Sequence, residues 1–480
     1  MYIDGEWVEA SSSGTFAKIN PANLEEIGNF QKGNEKDVGK AVDAAETAFD
    51  KWSSLPAPKR GEILFRVGQL LEKNKEKLAK IITKEMGKVL LEARGDVQEA
   101  IDMTFYMAGE GRRLFGSTTK SELKDKFAMT IRNPIGIVGL ITPWNFPLAI
   151  PAWKMMPALI CGNTIVFKPS SDSPLSAIKL IEILEEAGIP KGVVNLVTGS
   201  GESVGMSIVR NKKVRAISFT GHRDTGSTIL KEAGIKRVGL ELGGKNPIII
   251  MDDADLDLAL DGVIWGGFGT TGQRCTAASR IIVHEKIKDK FEKMLVSRIR
   301  KLRLGNGLSK DVDIGPLINQ VAQEKCRKYT EIGIKEGGKL LIGGKIPKMK
   351  GWFFEPTLFT NCSISMKIAQ EEIFGPIVSL MSAKNLNDAI EIANSVEYGL
   401  SSAIYTKNLR NAFIAIEKLE AGLTYVNAST TGSEAHLPFG GIKKSGNTRE
   451  GGINGIDEFS EVKTVYIEYS GKLQRAQIDE

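Results

Sequence analysis

Ile135-Gly136-Ile137-Val138-Gly139-Leu140-Ile141 is the first of a series of short, largely β-branched runs that decides how this chain folds. Thr164 to Phe167, Val193 to Val197, Val214 to Phe219 and Arg237 to Leu242 repeat the type, and amphipathic segments such as Ser176 to Ala187 separate them. Apolar strands alternating with helices predict a parallel sheet covered on both faces, with ligands gathered at the carboxyl ends of its strands. That is a dinucleotide-binding architecture. Upstream, apolar positions recur at three- and four-residue intervals in Ala41 to Phe49 and Ile63 to Leu71, so residues 36 to 115 read as helices, divided at Pro56 and Pro58. Between residues 118 and 135 the pattern turns polar and alternating, as in Phe127-Ala128-Met129-Thr130-Ile131-Arg132, which suits strands that leave the main body. After residue 246 a second cycle begins, with Asp253 to Trp265 and Ile287 to Leu302 helical and Ile281 to Val283 and Ile377 to Leu380 extended.

The composition fits this reading. A chain of 480 residues, 42% hydrophobic and 25% charged, has the length of about three domains and the make-up of an ordinary globular protein. Lys and Arg number 64 against 58 Asp and Glu, an excess too dilute for a nucleic-acid or lipid surface. The densest basic run, Arg210 to Arg215, reads as a solvated turn. Cys161, Cys275, Cys326 and Cys362 form no C-x-x-C pair, and the histidines are His222, His284 and His436 alone. Neither a disulfide scaffold nor a metal site is expected. The amino terminus lacks a basic flank and an apolar core segment, and no stretch reaches about 18 uninterrupted apolar residues. A cytoplasmic protein with reduced cysteines is the expectation.

Several glycine turns compete for a phosphate. Gly267-Phe268-Gly269-Thr270-Thr271-Gly272 matches G-x-G-x-x-G, but it follows a helical run and leads into Gln273-Arg274-Cys275, so it reads as a decoy. Gly199 to Gly205 follows a strand and opens a helix with a spacing one residue too long. Phe219-Thr220-Gly221-His222-Arg223 also leaves a strand for a helix whose amino end can receive an anion. Among the cysteines, Cys275 alone sits in a loop of glycines and small polar residues that leaves a thiol reachable, whereas Cys161 reads as a core residue. A thiolate attacking a carbonyl needs donors for the oxyanion, and hydrolysis needs a base. Asn145, in the stiff turn Thr142-Pro143-Trp144-Asn145-Phe146-Pro147, and Glu241, at a strand end in apolar surroundings that raise its pKa, are the candidates.

Pro143-Trp144-Asn145-Phe146-Pro147, Phe167-Lys168-Pro169-Ser170, Phe219-Thr220-Gly221, Glu241-Leu242-Gly243-Gly244-Lys245, Gly272-Gln273-Arg274-Cys275, Glu371-Glu372-Ile373-Phe374-Gly375-Pro376 and Leu437-Pro438-Phe439-Gly440-Gly441 together resemble the NAD(P)-dependent aldehyde dehydrogenase superfamily, in order over nearly the whole chain. The resemblance implies that Cys275 forms a thiohemiacetal with the aldehyde, with the Asn145 amide and the Cys275 N–H as oxyanion hole. Hydride then leaves to the nicotinamide, and water activated by Glu241 hydrolyses the thioester. A cysteine suits this better than a serine, because its thiolate is more accessible near neutral pH and the thioester it leaves is readily hydrolysed. Relatives that pass the acyl group to coenzyme A lack the glutamate, so its presence favours a free acid.

By the same resemblance Lys168 binds the adenosine ribose, Glu372 the nicotinamide ribose, and Phe374 and Trp144 flank the nicotinamide. Gly221 and His222 occupy the turn facing the pyrophosphate, where relatives place a small serine instead of the histidine. Ser171 stands where NAD-specific relatives often carry a glutamate, so NADP is expected to be preferred over NAD. Another departure is Gly446-Asn447-Thr448-Arg449-Glu450, where relatives show adjacent glycine and arginine; it implies a packing difference. Trp153 replaces the arginine that succinate-semialdehyde enzymes often carry. The loop Asn427 to His436 resembles those of enzymes acting on 2,5-dioxopentanoate or glyceraldehyde, so a small oxygenated aldehyde is the expected substrate, with succinate semialdehyde or a broad range as alternatives.

The implied fold is α/β and aldehyde dehydrogenase-like. A Rossmann-type cofactor domain would take residues 1–117 and 136–245, an α/β catalytic domain residues 246–455, and a β-strand oligomerisation arm residues 118–135 and 456–480. An arm of exposed edges is best hidden against another subunit, and a homotetramer built as a dimer of dimers is expected. Two other readings stay open: a dinucleotide-binding or structural protein without activity, and reductive or acyl-transferring chemistry on a phosphate or coenzyme A ester.

Overall fold

The five apolar runs become adjacent parallel strands in the computed structural model, which describes residues 1–478. Their order is Arg237–Glu241, Val214–Thr220, Ile137–Ile141, Thr164–Lys168 and Val194–Leu196, and the amino-terminal pieces Tyr2–Ile3 and Glu6–Trp7 extend the sheet antiparallel to seven strands. Ile137–Ile141 and Thr164–Lys168 are buried along their whole length, as strands covered on both faces must be. The helix Glu35–Ser54 packs on one face, started by a capping box between Asn34 and Asp37. Ala149–Ile160 packs on the other, joined by Ala57–Lys73 and Leu90–Glu110. Strand order reverses at Ile137–Ile141, whose neighbours are Thr164–Lys168 and Val214–Thr220. The crevice of such a sheet opens beyond the carboxyl ends at that switch, here at Thr142 and Gly221.

A second sheet of seven strands runs Lys339–Ile342, Thr357–Thr360, Ile377–Ala383, Ala278–His284, Asn246–Ile250, Ser401–Tyr405 and Leu423–Val426, parallel except at its Lys339 edge. Its helix Leu256–Phe268 begins later than the expected Asp253, because Asp255 caps it by accepting the N–H groups of Asp257 and Leu258. The helix expected over Ile287 to Leu302 spans Lys288–Ile299. The strand expected to end at Leu242 ends at Glu241.

Lys126–Pro134 pairs antiparallel with Thr118–Lys120 and with Ser460–Glu468 in a separate three-stranded sheet. Val462, Tyr466 and Ile467 are exposed along it. Ile456 and Phe459, just before its last strand, are instead buried in the core of the first sheet. The last two residues of the expected 456–480 arm segment lie outside the described residues. Among the described residues no helix is long and apolar enough to cross a membrane.

Candidate active site

Cys275 is delivered by a rigid loop. The helix Leu256–Phe268 runs into the tight turn Gly269–Gly272, in which Thr270 and Thr271 both adopt positive φ, 51° and 59°. Two consecutive β-branched residues in the left-handed region are strained, so the surroundings must hold them. Glu92 does so, accepting the Thr270 N–H at 2.8 Å and pairing with Arg274 at 3.2 Å. The buried Gln273 side chain accepts the Ile318 N–H at 2.9 Å. Asn246 Nδ2 donates to the Cys275 carbonyl at 2.7 Å, and Gly244 lies so close that a Cβ there would stand 2.5 Å from the same oxygen. The G-x-G-x-x-G match therefore has a structural explanation, a helix-to-loop turn aimed at Cys275.

The half-buried Cys275 faces two cavities. One, of about 210 Å³, is walled by Phe146, Trp153, Trp265 and Phe439 and edged by Glu99, Thr431 and Ser433. The other, of about 230 Å³, lies at the switch point, among Trp144, Gly221, His222, Gly243, Glu372 and Phe374. Glu241 borders the first cavity and Asn145 the second. Asn145 Nδ2 donates to the Gln273 carbonyl at 3.1 Å, two residues before the thiol, while its Oδ1 is buried without a hydrogen-bond partner.

Burial, with Glu372 and Glu241 adding repulsion, pushes the Cys275 thiol up to about 12. The loop that reads as open in sequence holds, in space, a half-buried thiol that feels two carboxyl groups. Glu241 lies at the end of its strand with both carboxylate oxygens buried and without a hydrogen-bond partner. Burial first, then the nearby Glu450, raises it well above the usual carboxylate range, while Lys154 works the other way. The sequence reading missed these neighbours. Lys154 is fully buried, donates to Ser218 Oγ at 2.9 Å and pairs with Glu450. A lysine inside Trp153-Lys154-Met155-Met156, on an otherwise apolar helix, was the only signal for it.

The predicted cofactor residues fall into two groups. Trp144, Gly221, His222, Glu372 and Phe374 line the switch-point cavity. Phe374 holds a positive φ of 61° and meets Trp144 edge-on at 5.6 Å. His222 caps the helix Arg223–Glu232 by accepting the Asp224 N–H at 3.2 Å. Lys168 and Ser171 lie outside that lining, beside the turn that follows Val194–Leu196. Lys168 donates to the Pro169 carbonyl at 2.8 Å, and its ammonium is lowered to about 8 by burial. Ser171 Oγ donates to the Gly199 carbonyl at 2.9 Å. An elongated ligand is needed to reach from one group to the other, and a glycine-lined crevice edged by the Glu372 carboxylate fits a dinucleotide.

A thiol between a dinucleotide crevice and an apolar cavity defines a cysteine-dependent oxidoreductase. Residues 7–465 match the aldehyde dehydrogenase family. The α-ketoglutaric semialdehyde dehydrogenase of Bacillus subtilis is 42% identical, with 97% of each chain covered. The 2,5-dioxopentanoate dehydrogenase of Saccharolobus solfataricus is 40% identical, covering 96% of this chain and 98% of that one. Among solved structures, betaine aldehyde dehydrogenase from Staphylococcus aureus in complex with NAD+ matches with a TM-score of 0.97 at 39% identity, covering 98% of this chain and 95% of that one. The chain belongs to the aldehyde dehydrogenase family and is an enzyme that oxidises aldehydes.

Proposed function

We propose that Cys275 is the nucleophile, Asn145 an oxyanion donor and Glu241 the hydrolytic base in the oxidation of a small oxygenated aldehyde to its acid. The observation that carries this reading is the position of Cys275 where the two cavities meet, with Glu241 bordering one and Glu372 the other. The thiol loses its proton as sulfur adds to the aldehyde carbonyl, and the Asn145 amide with the Cys275 N–H steadies the oxygen as it gains charge. A nicotinamide dinucleotide, when bound, supplies the hydride acceptor. Glu241 then takes a proton from the water that attacks the thioester, and the acid leaves as the C–S bond breaks.

Trp144, Gly221, His222, Glu372 and Phe374 would hold the nicotinamide end, and Lys168 and Ser171 the adenosine end. NADP is the preferred cofactor in this reading, with NAD also used. Ser171 brings no negative charge toward a 2′-phosphate, and the nearby Asp172 is offset by Lys18 at 3.9 Å. The substrate is 2,5-dioxopentanoate or glyceraldehyde in type: Thr431 and Ser433 bring hydroxyls to the cavity, and the Bacillus and Saccharolobus relatives are named for the former compound. An onium aldehyde is a second reading, favoured by the aromatic walls and Glu99. We place the cofactor domain at 1–117 and 136–245, the catalytic domain at 246–455 and the arm at 118–135 and 456–480, in a cytoplasmic homotetramer assembled through the exposed arm strands.

The test is kcat/KM for a panel of 2,5-dioxopentanoate, glyceraldehyde, succinate semialdehyde and betaine aldehyde, each with NADP and NAD. The reading requires the first two to lead and NADP to exceed NAD. An acyl-coenzyme A product on adding coenzyme A would remove Glu241 from the role of hydrolytic base.

A further inference from the structure

Behind Glu241 the edge strand Arg237–Glu241 and its neighbour Val214–Thr220 present one shared face. Ser218 lies opposite Gly239 in the parallel register, and Thr220 opposite Glu241. Residues two apart on a strand point the same way, so these four lie on one side of the sheet. Onto this face the helix Gly452–Glu458 brings the carboxyl group of its last residue. Gly239 makes the room, since a Cβ there would overlap Glu458 Oε1. Ser218 and Thr448 ease the burial of that carboxyl group, yet neither of its oxygens completes a hydrogen bond of ordinary geometry. Lys154, bonded to Ser218 and paired with Glu450, is the one ammonium in the cluster among the described residues.

We propose that Glu458 is a positioning residue for the hydrolytic half of the reaction, sharing the Lys154 charge with Glu450 and thereby setting the pH at which Glu241 is free to take a proton from water. The inference rests on the reading of Glu241 as that base. Three ionised carboxylates would outnumber the buried Lys154 ammonium even with the half-buried Arg449 guanidinium beside them, and burial strongly disfavours the excess negative charge. At least one carboxyl group therefore keeps a proton. Burial, followed by Glu450, raises Glu458, and Glu458 in turn helps to raise Glu241. Groups coupled in this way release their protons in shared steps.

The remaining charges nearby hold contacts of their own, although Arg449 still lowers Glu241, less than Lys154 does. Arg449 donates to the carbonyls of Gly441 and Thr448, Arg237 to those of Asp457, Glu458 and Ser460, and Asp457 pairs with Arg132 at 2.7 Å. In the hydrolytic step a water O–H bond breaks, its oxygen joins the thioester carbon, the C–S bond breaks, and the proton passes through Glu241 to the sulfur. Glu458 exchanges no atom; its charge decides how readily Glu241 gives up its resting proton.

The experiment is the pH profile of the steady rate after the first turnover, with burst amplitude reporting the fraction of active enzyme. Glu458→Gln removes a negative charge, so the acid limb should move down by about one pH unit and take a single-proton shape. Glu458→Asp should restore the original limb. A Glu458→Gln limb that coincides with the unaltered enzyme overturns the proposal. Should Glu458→Gln fail to fold, the infrared carboxylic-acid band of the unaltered enzyme, titrated across neutral pH, must fade in two steps, and a single step overturns it. Glu241→Gln is the control: full steady turnover in that variant removes the base assignment itself, whereas slow turnover beside an unmoved Glu458→Gln limb removes only the present proposal.

Discussion

The backbone N–H of Gly244 donates to the carboxylate of Glu372 at 3.0 Å, and Gly243 beside it leaves the space that the same carboxylate fills. The glycine pair after Glu241 thus lets a carboxyl group from a distant loop reach the crevice next to Cys275. Gly243→Ala should push Glu372 away and raise KM for the dinucleotide about tenfold, equivalent to ~1.4 kcal/mol of lost binding. KM for the aldehyde should stay near its original value. Equal effects on both would place the damage in the loop as a whole.

Cys275→Ala should lower aldehyde oxidation about a thousandfold or more, since the proposed mechanism forms its thioester on that sulfur alone. Dinucleotide binding, followed by fluorescence titration, should remain. The high position of the thiol also predicts that the first-turnover rate rises with pH through the neutral and alkaline range, as a larger fraction loses its proton.

Glu241→Gln should give a burst of reduced cofactor followed by slow turnover, and absence of the burst would count against a role in hydrolysis. The same group carries a stability signature. Its folded pKa is raised, so above the ordinary carboxylate range the folded state holds a proton that the unfolded chain has released, and stability falls as pH rises. Thermal midpoints measured across that range should fall less steeply for Glu241→Gln than for the unaltered enzyme.

Ser171→Glu should shift the NADP-to-NAD ratio of kcat/KM toward NAD by about tenfold, the order expected for one like-charge contact near the surface. An unchanged ratio would mean that the adenosine phosphate does not approach Ser171.

Glu92→Ala should cost about 3 kcal/mol, because it strands the buried Arg274 guanidinium and releases the strained Thr270 N–H. Chemical denaturation would measure the loss, and the burst rate should fall with it as the Cys275 loop slackens.

The first sheet was readable because its strands are continuous apolar runs and its helices keep their own period, two signals that do not overlap. Cys275 stood out through its loop composition, and Asn145 and Glu241 through their places after strands. What the residues near them do to their protonation was not readable. Lys154, Ser218, Gly239, Glu450 and Glu458 come from separate segments, and only folding brings one ammonium among three carboxyl groups. Glu92 was equally silent, since a glutamate on a helix is ordinarily solvated, and its meeting with Arg274 joins positions 182 residues apart.

Because Cys275 lines both cavities, the proposed mechanism gives aldehyde and dinucleotide separate doorways. A plug fitted to the aromatic doorway should leave the other one passable, so such an inhibitor would compete with the aldehyde while the enzyme went on loading and shedding its nucleotide.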